Sequence, residues 1–194
     1  MIVILSFILS EQDAYSQETS IFDLLILERT GDLNNDSFAD LILVKQDTLS
    51  EFKPFLLEIF FGTRSGEKKL ILQTEKAIIP EFPDGKSTLL NGEGFLDILI
   101  QSKKLIISYE LLRGHKEYFY KFEKNKFKLI EYNFVESDGR GKIYYENIDF
   151  NELLRRTKVF SYQEDKIITS NEFKLILDQP QYLEDLNMVP ERHN

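Results

Sequence analysis

From Ile21 onward, short apolar runs are divided by turn residues at intervals too brief to hold long helices between them, the spacing of a β-meander rather than of alternating strand and helix units. The runs predict strands at IFDLLILER from Ile21, ADLILVKQ from Ala39, PFLLEIFFG from Pro54, KKLILQTE from Lys68, FLDILIQ from Phe95 and KLIISYELL from Lys104. KEYFYKFE from Lys116 and KFKLIEYNF from Lys126 follow, with weaker candidates near Lys142, Lys158 and Glu172. Turns fall at Arg64-Ser65-Gly66, Pro83-Asp84-Gly85, Arg113-Gly114-His115, Lys124-Asn125 and Asp138 to Gly141, where glycine, proline, asparagine and aspartate supply the required backbone angles. Alternation is strictest in KEYFYKFE and KFKLIEYNF, joined through Lys124-Asn125, which predicts a hairpin with one wet face. One helical stretch is expected, Asn151 to Arg156, with Asn151 as its cap. The expected fold is therefore all-β with minor α.

Sliding residues 32–42 by 57 positions places Asn34, Phe38 and Asp40 over Asn91, Phe95 and Asp97, with Leu41-Ile42-Leu43 over Ile98-Leu99-Ile100. A loop-then-strand grammar used twice predicts two repeat-like β units forming antiparallel sheets, as a partial propeller or a sandwich.

The segment GDLNNDSFADL carries the chemistry. Asp32, Asn34, Asp36 and Asp40 stand at positions 1, 3, 5 and 9 of a tight loop, with the Phe38 carbonyl at position 7, the ligand spacing of a hard-cation site. Carboxylates held so close repel unless a divalent cation neutralises them, and calcium accepts mixed carboxylate and carbonyl oxygens more readily than magnesium does. An EF-hand needs a bidentate Glu at position 12, where Leu43 stands, and the following LILV reads as strand rather than helix.

Asp32, Asn34, Asp36 and Asp40 before the apolar Leu41 to Val44, with Phe61-Gly62 further on, make the chain resemble the calcium loops of FG-GAP and VCBS-type repeats. The resemblance covers residues 22–75 well and residues 89–110 as a decayed copy. It implies an exported protein with a structural Ca2+ held by Asp32, Asn34, Asp36, Phe38 and Asp40. Ser37 stands at the usual glycine position, which implies weaker affinity, because a left-handed turn costs a side chain about 1 kcal/mol. The second loop has Leu89 at position 1 and is expected to bind no metal.

Length and composition fit one globular domain: 194 residues, 42% hydrophobic and 29% charged. A net charge of −9 without a basic stripe opposes binding to nucleic acid. The absence of cysteine excludes disulfides, thiolate metal sites and cysteine nucleophiles. The apolar run Ile2 to Leu9, followed by Ala14-Tyr15-Ser16, reads as a signal peptide over residues 1–16, and no later segment is apolar enough for a membrane helix. The expected organisation is that leader, a single β domain over residues 17–178 and a loosely ordered tail over residues 179–194, secreted or periplasmic.

No catalytic constellation stands out. His115 beside Gly114 is expected as a turn residue and His193 lies in the tail; Glu184 and Asp185 read as a solvated face, and Arg155-Arg156 as a charged helix end. The rings Tyr118, Phe119, Tyr120, Phe122, Phe127, Tyr132 and Phe134 are expected mostly in the core, with exposed ones marking a surface for a protein or glycan partner. The reading is a non-catalytic binding or structural module stabilised by calcium. Its alternatives are a hydrolase of cell-surface polymers and an inhibitor (immunity protein) of a secreted toxin.

Overall fold

The structure is a computed structural model describing residues 21–83, 85 and 93–186, so the expected leader and the loop residues Leu89 and Asn91 lie outside the described residues. The chain forms two antiparallel sheets. β1 (Leu24–Gly31), β2 (Asp40–Gln46), β3 (Phe55–Gly62) and β4 (Lys68–Thr74) make a four-stranded meander. β5 (Glu93–Gln101), β6 (Lys104–Leu111), β7 (Gly114–Glu123), β8 (Lys126–Ser137), β9 (Lys142–Asp149), β10 (Leu154–Ser161) and β11 (Lys166–Lys174) make a seven-stranded one, each strand pairing with its neighbours in sequence. Every segment expected as a strand is one.

Period-two patterning explains how the sheets meet. On β2, Asp40, Ile42, Val44 and Gln46 are buried while the residues between them are half-exposed. Ile42, Val44, Leu57, Ile59 and Phe61 of the first sheet share one buried cluster with Leu105, Ile107, Tyr109, Tyr120 and Phe127 of the second. Aromatic rings lock the layers: Phe61 meets Phe122 edge-on at 4.7 Å and Phe55 meets Phe95 at 5.3 Å. The aromatic ladder therefore splits as expected. Tyr118, Tyr120, Phe122 and Phe127 pack inward, whereas Phe119 turns to the outer face beneath the Lys104 ammonium. Of the two expected architectures, the sandwich is the one formed, with its sheets unequal in size.

The four-stranded sheet covers only part of its partner. Among the described residues the core cluster takes none from β9, β10 or β11, and β11 is exposed along its whole length. These three strands overhang as a single layer.

Two expectations are corrected. Asn151 to Arg156 is not helix: Asp149 Oδ1 accepts the Asn151 and Glu152 N–H groups at 2.9 Å each, Leu153 turns left-handed at φ 56°, and β10 begins at Leu154. Arg155 and Arg156 consequently lie within a strand rather than at a helix end. The first part of the expected loose tail is docked. Leu129 N–H donates to Gln181 O, Phe127 N–H donates to Glu184, and Leu183, in a short 3-10 turn over Leu183–Asp185, is fully buried. Residues 187–194 lie outside the described residues.

Candidate functional site

The loop between β1 and β2 curls because two residues take left-handed backbone angles, Asn35 at φ 65° and Ser37 at φ 70°. With every second residue turned in this way, the intervening side chains come to one side. Asp32 Oδ1 accepts the N–H groups of Asn35 (2.7 Å) and Asp36 (3.2 Å), and its Oδ2 accepts that of Ser37 (3.2 Å). Asn34 Oδ1 accepts the same Asp36 N–H at 3.1 Å, while Asn34 Nδ2 donates to Asp36 Oδ2 at 2.8 Å. Asp36 Oδ1 accepts the Phe38 N–H at 2.8 Å. Asp32, Asn34 and Asp36 thus share one network of hydrogen bonds with the loop backbone.

Asp40 plays a different part. Its carboxylate is buried at the start of β2, where Oδ2 accepts the Leu33 N–H at 2.7 Å and Oδ1 accepts the Gly62 N–H at 3.0 Å. One side chain therefore ties the beginning of the loop to the end of β3. Burial pushes the Asp40 carboxyl above its ordinary range; the donated N–H groups of Leu33 and Gly62 pull it back down, and the nearby Asp36 charge raises it further. Gly62 is required by this arrangement, since a methyl group there would collide with the Ala39 carbonyl oxygen. The sequence displayed the Phe61-Gly62 pair, but not that its backbone N–H would meet Asp40.

Other groups close around the loop. Lys68 Nζ donates to Ala39 O, and Lys103 Nζ, from the tight β5–β6 turn, donates to Asn35 Oδ1. Arg29 of β1 pairs with Asp97 of β5 at 2.8 Å. The loop accordingly sits where the neighbouring edges of the two sheets come together.

No family model matches this chain, and neither does any curated protein or solved structure compared with it.

Whether a cation fits is a matter of donor chemistry. The loop offers two carboxylates and a carboxamide in one hydrogen-bonded stretch, with a third carboxylate near enough for its charge to be felt, which is a hard, all-oxygen set suited to calcium. In the described geometry a carboxamide proton bridges Asn34 and Asp36, and no three His, Cys, Asp or Glu side chains among the described residues are gathered as a metal-holding group. A cation requires that bridge to give way and the Asn34 and Asp36 side chains to turn their oxygens toward it. Both are side-chain rotations at an exposed loop.

The remaining candidates are dispersed. His115 lies on β7, on the outer face of the larger sheet, rather than in a turn. Glu184 and Asp185 are occupied in docking the tail, by Phe127 N–H and by Lys126 at 3.2 Å. Arg156 is held between Glu152 and Glu172 at 2.9 Å each.

Proposed function

We propose that this chain is an exported, non-catalytic β module that recognises a protein or glycan partner and is stabilised by calcium in its β1–β2 loop. The observation that supports the reading is the hydrogen-bonded loop of Asp32, Asn34 and Asp36 beside the buried Asp40, at the place where both sheets meet. A cation held there by those residues and the Phe38 carbonyl neutralises neighbouring carboxylates. It braces the loop against β3 and against the β5–β6 turn. Its role is structural, because the same residues that would hold it also hold the backbone together.

Extracellular modules of this kind bind calcium at roughly 0.1–1 mM. At about 10 mM calcium the linkage contributes about 1.4–2.7 kcal/mol, which for a domain of this size raises Tm by roughly 3–10 °C. Asp36→Ala is expected to abolish the rise while leaving the Asp40 ties intact. A thermal melt that is the same in calcium and in chelator overturns the metal reading.

A further inference from the structure

The outer face of the seven-stranded sheet, turned away from the core, carries a concave, solvent-open cavity of about 440 Å³ that crosses β7 to β11. Strand register builds it from two adjacent rows. In the first, Glu117, Asn133, Asn147 and Arg156 stand opposite one another on successive strands. In the second, His115, Val135, Tyr145, Lys158 and Ser170 do the same. Strands lie about 4.8 Å apart, so the rows run roughly 14 and roughly 19 Å across the sheet, spans suited to a few linked rings.

The first row has a locked floor. Asn147 Nδ2 donates to Asn133 Oδ1 at 2.8 Å and to Glu131 Oε1 at 3.2 Å, Asn133 Nδ2 donates to the same Glu131 oxygen, and Arg156 reaches Asn147 Oδ1 at 3.5 Å. Arg156 is itself clamped by Glu152 and Glu172. The rim is uncommitted by comparison. Among the described residues the Glu117 and His115 side chains have no hydrogen-bond or ion-pair partner, and the Lys158 ammonium rests only over the Tyr145 ring at 4.2 Å. Pre-ordered planar amides beneath free donors and acceptors are the arrangement of a recognition site rather than of a merely solvated face.

We propose that this groove binds a short glycan. Carboxylate, imidazole, amide, guanidinium and ammonium groups alternate along it, so its ligand must offer both donors and acceptors at close intervals, as successive hydroxyls do. An extended peptide takes its main-chain bonds from a sheet edge and its specificity from apolar side-chain pockets, whereas β8, which runs through this groove, is paired on both edges. Most of the groove's lining side chains are polar or charged, alongside Val135, Phe134 and the Lys158-covered Tyr145 ring. A nucleic acid is opposed by the net charge of −9. Because Lys158 covers the Tyr145 ring, stacking is limited and hydrogen bonds carry the affinity. The proposal rests on the binding-module reading above, but not on its calcium.

The test is ligand-observed NMR on the full chain with chitotriose, cellotriose, maltotriose and trigalacturonate, in calcium and in chelator. At least one trisaccharide is expected to bind with Kd of about 1 mM in both buffers. The double variant E117A/K158A removes an unpaired rim carboxylate and an ammonium whose one contact is the Tyr145 ring, and is expected to weaken that binding at least about tenfold while the cooperative melt is kept. N147A, which unlocks the floor, is expected to weaken binding as well. Binding of none of the four at about 10 mM overturns the proposal. So does equal binding by E117A/K158A, or saturation transfer to an unstructured peptide mixture but to no sugar. A sugar bound while calcium leaves the melt unmoved sinks the metal alone; a calcium-shifted melt with no sugar bound sinks the groove alone.

Discussion

Asp40 concentrates in one side chain what the loop and the sheet require of each other. Its two oxygens accept the Leu33 and Gly62 N–H groups from opposite sides, within a buried site beside the Asp36 charge. Asp40→Asn keeps the shape but turns an amide N–H₂ toward one of those backbone donors. The orphaned buried N–H costs about 1–3 kcal/mol, and relief from burying a charge offsets only part of it. Urea denaturation should find a loss near 2 kcal/mol; a variant as stable as the parent would mean that Asp40 is not the tie between loop and β3. Ser37 presents the opposite case. At φ 70° it bears a strain glycine avoids, so Ser37→Gly is expected to stabilise the fold by up to about 1 kcal/mol and to tighten calcium binding. A drop in stability there would mean that the serine side chain supports the loop.

The strands were legible at the level of single elements because each carries its own signal, an alternation of Ile, Leu, Phe and Tyr with charged residues, bounded by turn chemistry. The Lys124-Asn125 connection illustrates this: both residues are left-handed, at φ 52° and 64°, as a two-residue hairpin demands. Asn151 to Arg156 was misread because a cap residue before two leucines signals a helix only when nothing competes, and Asp149, two residues earlier, takes the Asn151 and Glu152 N–H groups for a turn. The docked tail was missed for a different reason. Its polar composition hides two leucines: Leu186 packs against the core, and Leu183 finds full burial against β8, more than fifty residues away in sequence. Leu183→Ala is expected to cost about 2–4 kcal/mol by the usual cavity and transfer terms, and to release the Lys128–Tyr182 bridge. Limited proteolysis reads the outcome directly: cleavage near residues 179–186 should become rapid in the variant, and a resistant tail would show that Leu183 does not anchor it.

At the scale of the whole molecule, the division into sheets of four and seven strands was not legible, because the choice between continuing a meander and starting a new layer rests on long-range packing. The outward-facing ladder of Asn133, Asn147 and Arg156 stayed hidden in the same way, since only register places those side chains in one row. Uneven coverage has an energetic consequence. β2, β3 and β6 contribute Ile42, Val44, Leu57, Ile59, Leu105 and Ile107 to the sealed core, whereas β9 and β10 are paired on both edges yet, among the described residues, covered by no second sheet. Backbone pairing contributes only modestly when water can replace it, so stability should follow apolar burial rather than position within the sheet. Native-state hydrogen exchange separates the two. Amides of β9 and β10 are expected to open through a sub-global unfolding of β9 to β11, at a free energy several kcal/mol below that of β2 and β3, which should exchange only with global unfolding. The strands that carry the proposed groove are then the first to open, and a bound glycan should raise protection in β9 and β10 while leaving β2 unchanged. Equal exchange free energies in β2 and β10 would mean instead that the overhang is as firmly held as the sandwich, and that the seven-stranded sheet folds as one unit with its cover.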